Sequence, residues 1–245
     1  MNGPPSRRAT RAIFAALLAL CWLSAGWYPA FAMLRGLRAP NDFTHDDVRA
    51  ELWLHGGRWG HLPAVDVSAG NARAARLGAP PVLPLGSYYV HPPSALLPML
   101  PFAALPYGAA VLLWQGLTVA LVALLARLLA PLAAAARVPL RARWLFPLLL
   151  LWPPVLANLQ VGQWSVVLAV ALAAGHRAWE AGRRARGAAL LGLAAAVKVA
   201  PLALLPGLAL RDRRAALGFL ATVALLVAAS LPLGGLEGWR AFAAV

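Results

Sequence analysis

Apolar runs separated by short basic segments dominate the chain. The first run, from Ala12 to Leu34, follows three arginines at positions 7, 8 and 11. At about 1.5 Å per residue, this run is long enough to cross the ~30 Å hydrocarbon core of a bilayer. The pattern predicts a transmembrane helix over 12–34, with residues 1–11 in the cytoplasm. A cleaved signal peptide is the alternative, although the run exceeds the ~7–15 apolar residues of a signal peptide.

Later apolar runs indicate a polytopic helical protein. They cover 107–129, 145–156, 164–179, 187–197, 202–210 and 215–231. Arginine clusters within 127–143, 177–186 and 211–214 mark cytoplasmic loops, because such loops are rich in Lys and Arg. The clusters share one side of the membrane only if the runs from 145 to 210 form two hairpins of short or broken helices. Irregular backbone at membrane depth must be buried or hydrated, so we expect the hairpin tips to line a cavity.

The segment 35–93 is more polar and holds five of the eight acidic residues. If the first helix runs outward, this segment forms a long external loop, in which 46–54 has the pattern of an interfacial helix. Residues 94–105 are too few to span a membrane, which takes about 20 residues, and predict a second interfacial or half-buried helix. Residues 94–245 then form the transmembrane region. The abrupt end after Trp239 predicts that the sequence is a fragment of a longer protein.

Composition supports a membrane location and excludes several classes of function. The 245-residue chain is 61% hydrophobic and 12% charged, with a mean hydropathy of +0.69, whereas a soluble domain is roughly 25% charged. The net charge of +14 comes from arginines between apolar runs, a distribution that does not indicate nucleic-acid binding. The single cysteine, Cys21, excludes an intramolecular disulfide. No zinc-binding spacing or phosphate-binding glycine loop is present, and we predict neither a metal nor a cofactor.

Asp42, a few residues after the first helix, is the candidate general base. A carboxylate at this point would lie near the external membrane surface, where it can accept a proton in a membrane-borne reaction. The alternative is helix capping: Asn41, Asp42 or Thr44 can cap a helix over 46–54, and Asp and Asn are preferred caps. The two roles are compatible.

Lys198 is the second candidate, because it stands alone among alanines and valines. A charge inside the bilayer costs ~2.5–3.5 kcal/mol on insertion scales and by default indicates function, here binding of a lipid-borne phosphate. Snorkelling to the interface is the alternative. Asn158 and Gln163 can bind sugar hydroxyls, or equally can pack between helices. His91, before two prolines, fits a loop residue as well as a ligand.

The order of four short motifs resembles glycosyltransferase family 87. The motifs are Asn-Asp-Phe at 41–43, Tyr-Tyr-Val-His-Pro-Pro at 88–93, Gly-Gln at 162–163 and Lys-Val-Ala-Pro at 198–201. The resemblance runs from about residue 10 to the end of the chain. It implies a polytopic enzyme of the GT-C fold that uses a polyprenyl-phosphate sugar as donor, with mannose or arabinose in the well-known cases.

The resemblance also implies roles for single residues. Asp42 matches the family aspartate that acts as general base on an acceptor hydroxyl, with inversion at the anomeric carbon. Lys198 matches the family lysine, which we assign to the donor phosphate. Gly162, Gln163 and Tyr89 match further family positions, and with His91 they are candidate donor-binding residues. Asn158 joins them on the hydrogen-bonding capacity of its side chain alone. His91 departs from the family pattern, because an aromatic residue is more usual at its position.

The sequence therefore predicts an all-α, multi-pass hexosyltransferase of the plasma membrane, which for a bacterium is the inner membrane. Its predicted partners are the lipid membrane, a polyprenyl-phosphate sugar with mannose favoured, and a glycolipid or envelope glycan acceptor on the external face. A transporter or lipid flippase for an anionic substrate is the alternative, because broken helices with polar tips also serve transporters. The acidic, aromatic external loop and the lack of a detectable inverted repeat favour the enzyme. A non-catalytic membrane assembly subunit is a third possibility.

Overall fold

The computed structural model describes residues 7–38, 42–54, 75–76, 78, 91–137 and 141–243, which form helices and turns without a strand. The first elements are α1 (Arg7–Arg38), α2 (Asp42–Leu54), the 3-10 helix η1 (Pro93–Met99) and α3 (Leu100–Ala103). They are followed by α4 (Tyr107–Ala135), α5 (Ala142–Leu151), α6 (Pro153–Val161), α7 (Ser165–Glu180) and α8 (Arg184–Val197). The last elements are the 3-10 helix η2 (Ala200–Leu204), α9 (Leu205–Arg211) and α10 (Arg213–Ala243).

Among the described helices, three are long and apolar enough to cross a membrane. They are Ala12–Arg38 in α1, Tyr107–Ala135 in α4 and Arg213–Pro232 in α10. The pair α5 and α6, bent by 64° at its break, is a fourth candidate span. The predicted all-α, polytopic membrane architecture is thus confirmed. The short helix predicted over 94–105 is present as η1 and α3, which together cover Pro93–Ala103.

Prolines set the break between α5 and α6. Trp152 has extended backbone (φ −67°, ψ 126°), and Pro153 is the first residue of α6. Proline is favoured at the start of a helix because the N–H that it lacks would be unpaired there anyway. The sequence suggests Asn158, Gln160 and Gln163 as the polar tip of this hairpin. Asn158 and Gln160 instead lie within α6, whereas Gln163 directly follows the turn at Gly162.

The second break lies at Lys198, as the sequence predicts. Lys198 has extended backbone (φ −146°, ψ 127°) and ends α8. Pro201 follows within the first turn of η2, where its missing N–H again removes no helical hydrogen bond. The lysine therefore lies at a discontinuity between two helices, where the backbone departs from helical geometry.

Small residues let α8 pack closely against α7 and α10. A Cβ atom at Gly192 would lie 2.6 Å from the carbonyl oxygen of Phe219, and one at Gly187 would lie 2.8 Å from that of Gly175. Small residues at such contacts favour helix association in lipid, where burial of apolar surface gives little driving force. Elsewhere, α1 packs against α5 and α6, while α4 packs against α5 and α7. The helix α2 lies against η1 and α3.

Candidate active site

The helix α2 carries three acidic residues of the predicted external loop, Asp46, Asp47 and Glu51, into a buried position. It begins at Asp42, four residues earlier than the predicted 46–54 helix. Asp42 and Thr44 therefore lie inside its first turn, which excludes Thr44 as the cap, and Asn41 lies outside the described residues. A carboxylate in the first turn interacts favourably with the helix dipole. Asp42 itself is half-buried.

Asp46 is the most strongly partnered of these acids. Trp164 donates from Nε1 to Asp46 Oδ2 at 2.9 Å, and His91 Nδ1 lies 3.3 Å from the same oxygen. All three residues are buried. Burial alone would raise the pKa of Asp46, but the hydrogen bond and charge of His91, helped by Arg49 and Trp164, lower it below its ordinary value.

This contact gives His91 a role that the sequence left open. A buried carboxylate is stable only when it is paired or hydrogen-bonded, and His91 supplies that partner across 45 residues of sequence. The imidazole therefore ties α2 to the segment that begins η1. With an aromatic residue such as phenylalanine in place of His91, Asp46 would lose this partner.

The neighbouring acid, Asp47, has a different environment. Its Oδ1 is buried and has no hydrogen-bond partner among the described residues. Burial, together with the charge of Asp46, raises the pKa of Asp47 to about 7. Asp47 therefore exchanges a proton near neutral pH, whereas Asp46 stays ionised.

Gly162 brings the turn between α6 and α7 against the first turn of α2. It has left-handed backbone (φ 75°, ψ 33°), which glycine adopts without steric cost. A Cβ atom at this position would collide with the Cβ of Phe43. The glycine is thus required twice, once for the turn and once for the contact that lets Trp164 reach Asp46.

Gln163 lies beside that contact and is half-buried. Its Oε1 accepts a hydrogen bond from Ser165 Oγ at 3.3 Å. The amide nitrogen of Gln163 donates no hydrogen bond to another described residue. The side chain therefore keeps donor capacity for a ligand.

Five aromatic rings, one of them on α2, form a buried group. Its members are Phe43, Phe102, Tyr107, Trp114 and Trp164. The Trp114 and Trp164 ring centroids are 4.7 Å apart, and those of Phe43 and Trp114 are 5.7 Å apart. The Thr44 and Tyr107 hydroxyls are 2.5 Å apart. Aromatic contacts of this kind add ~0.5–1.5 kcal/mol each beyond burial and fix the orientation of the helix.

The same buried cluster reaches Lys198. Val197, the preceding residue, belongs to it, as do Phe43 and Trp164. Ser94 Oγ also donates to the carbonyl oxygen of Ala196 at 2.5 Å, joining η1 to the end of α8. The structure thus brings the neighbours of Asp42, Gln163 and Lys198 into one cluster. Lys198 is half-buried beside it.

Two predicted donor-binding residues are not placed in this cluster. Asn158 is buried in α6, and neither Oδ1 nor Nδ2 has a hydrogen-bond partner among the described residues. Tyr89 lies outside the described residues.

Asp46, Asp47 and Trp164 were not predicted as site residues from the sequence, although a signal was present for Asp46. With Phe43 and Ala50 it shows the spacing i, i+3 and i+7 of a single helix face. An acid within an apolar face is a sign of a buried and therefore partnered carboxylate.

Comparison with known families agrees with this architecture. A model of glycosyltransferase family 87 matches residues 89–245, which is more than half of the chain. The matched stretch includes His91, Gly162, Gln163 and Lys198, but begins after α2, so Asp42 lies outside it. The match covers a shorter stretch of the chain than the resemblance described above, which begins at about residue 10. No curated protein and no solved structure matches the chain.

Proposed function

Because the chain belongs to glycosyltransferase family 87, we propose that it transfers a hexose or pentose, with mannose favoured, from a polyprenyl-phosphate donor. The acceptor is a lipid-linked or envelope glycan on the external face of the plasma membrane, and the N-terminus is cytoplasmic. The observation that carries the proposal is the junction around Asp46. It holds the helix that starts at Asp42 against two breaks in the apolar helices, at Gly162 and near Lys198.

In the proposed mechanism, Asp42 accepts the proton of an acceptor hydroxyl. The hydroxyl oxygen attacks the anomeric carbon from the side opposite the phosphate, the bond from carbon to phosphate oxygen breaks, and the configuration inverts. One base is sufficient, because the phosphate leaves with the electron pair of that bond. The half-buried position of Asp42 at the start of α2 supports this role, since it leaves the carboxylate accessible to an acceptor.

Lys198 is assigned to the donor phosphate. Fixed positive charge placed where negative charge develops lowers the barrier of such a step. The lysine lies at a break between two helices, where its ammonium can meet a headgroup rather than an apolar helix surface. Gln163 is assigned to a sugar hydroxyl because its amide nitrogen retains unused hydrogen-bonding capacity. Asn158 stays a proposed donor-binding residue on its two unpaired side-chain atoms alone, since it is buried in α6 outside the cluster. Tyr89 and His91 complete the proposed donor-binding group.

The decisive experiment is transfer by Asp42→Asn in membranes supplied with a radiolabelled polyprenyl-phosphate sugar. Loss of the general base is expected to lower transfer about 100-fold or more. The matched control is Glu180→Gln, since Glu180 is exposed at the end of α7 and should transfer like the unchanged protein. Transfer by Asp42→Asn at the control rate would refute Asp42 as the base. Movement of the labelled lipid across the membrane without sugar transfer would instead support a flippase.

A further inference from the structure

A groove between α7, α8 and α9 has mostly apolar walls. Its volume is about 400 Å³. Its apolar lining side chains are Leu172, Trp179, Leu191, Leu204 and Leu208, and His176 also lines it. A charged residue, Arg211, lies at the end of α9 and also lines the groove. An apolar groove with a cation at one end matches an amphiphile with an anionic headgroup.

A second cavity has a volume of about 660 Å³. Four arginines line it, namely Arg183, Arg184, Arg186 and Arg214. Residues of the two linings are close to each other: the ring centroid of Trp179, in the groove, lies 5.7 Å from the guanidinium carbon of Arg184, in the cavity. The two linings are also adjacent in the chain, because Arg211 of the groove directly precedes Asp212 of the cavity.

The charges of the two cavities are strongly unbalanced. Asp212 is the acidic residue in their lining, and it lies 3.3 Å from Arg184. It also caps α10, because its Oδ1 accepts a hydrogen bond from the backbone N–H of Ala215 at 3.1 Å. The two linings together hold one carboxylate and five guanidinium groups, which leaves a positive surface next to an apolar one.

We propose that the groove and the arginine cavity together bind one anionic phospholipid. An acyl chain would lie along the leucines, and the phosphate would lie against the arginines. Basic pockets between membrane helices bind anionic headgroups in this manner, and each Lys or Arg near the surface contributes about 1 kcal/mol. Arginine suits the site because its planar guanidinium binds phosphate in a bidentate geometry.

This lipid site is separate from the proposed donor site. Arg184 begins α8 and Lys198 follows its end. A helix of 14 residues is about 20 Å long, so the two groups lie at opposite ends of it. The lipid site therefore does not depend on the proposed glycosyltransferase mechanism, and either proposal can fail alone.

The test is lipid retention by the full chain, purified in detergent and exposed to equal amounts of phosphatidylglycerol and phosphatidylcholine. Native mass spectrometry measures which lipid stays bound. We expect preferential retention of phosphatidylglycerol. Arg186→Gln and Arg211→Gln should each weaken retention about fivefold, which corresponds to about 1 kcal/mol. The matched control is Arg240→Gln, because this exposed arginine lies near the other end of α10.

A second variant fills the groove without changing charge. Gly207 lines the groove, and a Cβ atom there would meet nothing within 4 Å. Gly207→Leu should therefore fold but lose the lipid, whereas Gly108→Leu, at another open helical glycine, should retain it. Equal retention of both lipids, or unchanged retention by the arginine and Gly207 variants, would overturn the proposal. Displacement of phosphatidylglycerol by an equimolar polyprenyl phosphate would assign the groove to that lipid instead.

Discussion

At the scale of single residues, the site contains two adjacent acids, Asp46 and Asp47, whose environments differ. Asp46 has two buried partners, whereas Asp47 Oδ1 has none among the described residues. The pKa of Asp46 is lowered and that of Asp47 is raised to about 7. One acid therefore provides a fixed charge for α2, and the other carries a proton that leaves as the pH rises.

The pair of Asp46 and His91 is expected to be coupled in stability. Removing one partner of a buried, hydrogen-bonded contact costs about 1–3 kcal/mol, because the other group stays buried without compensation. Asp46→Asn and His91→Phe should each destabilise the protein, while the double variant should be less destabilised than the sum of the two. Unfolding free energies in mixed micelles measure this coupling, expected at about 1–3 kcal/mol. Strict additivity would contradict the pairing.

The raised pKa of Asp47 predicts a pH-dependent stability. The unfolded side chain ionises near 3.8, while the folded one keeps its proton up to about pH 7. Its contribution to stability is therefore complete below pH 4 and is lost as the pH rises to 7. Asp47→Asn removes this loss. The melting temperature of the variant, relative to that of the unchanged protein, should therefore be higher at pH 8 than at pH 5. Glu180→Gln should show no such difference, and neither should Asp47→Asn if Asp47 is ionised in the folded protein at pH 5.

At the scale of elements, the turn at Gly162 connects a broken membrane helix to the loop helix α2. The backbone needs a left-handed residue here, and Phe43 occupies the space where a side chain would begin. The turn then aims Trp164 at Asp46. Packing and backbone conformation together therefore explain why glycine occupies position 162, the first residue of the Gly-Gln motif.

Replacement of Gly162 by alanine tests this account against a matched glycine. Gly182 has almost the same φ, 74° against 75°, but a Cβ atom there would meet nothing within 4 Å. Gly182→Ala should cost about 1–2 kcal/mol, the penalty of left-handed backbone. Gly162→Ala should cost more, about 3 kcal/mol or above, because the collision with Phe43 adds to it. Equal losses in thermal unfolding would show that the contact with α2 is unimportant.

At the scale of the whole molecule, sequence predicted the helices far better than it predicted the contacts between them. Helix positions follow from apolar runs and prolines, which are local signals, and Lys198 was placed at a break by Pro201. The contact of Asp46 with Trp164 spans 118 residues, and no local pattern specifies such a partner. Asn158 and Gln160 were assigned to the tip of the first hairpin because Pro153 and Pro154 interrupt the apolar run before them, but these prolines start α6, which continues to Val161.

The orientation of the whole molecule can be tested because Cys21 is its single cysteine. The proposal puts α2 outside the membrane and the turn before α8 in the cytoplasm. In a Cys21→Ser background, Leu54→Cys, at an exposed position ending α2, should react with a membrane-impermeant maleimide in intact cells. Ala185→Cys, exposed at the start of α8, should react only after permeabilisation, since arginine-rich loops stay cytoplasmic. The reverse pattern would place Asp42 on the cytoplasmic face, and the acceptor and donor would then have to be sought there.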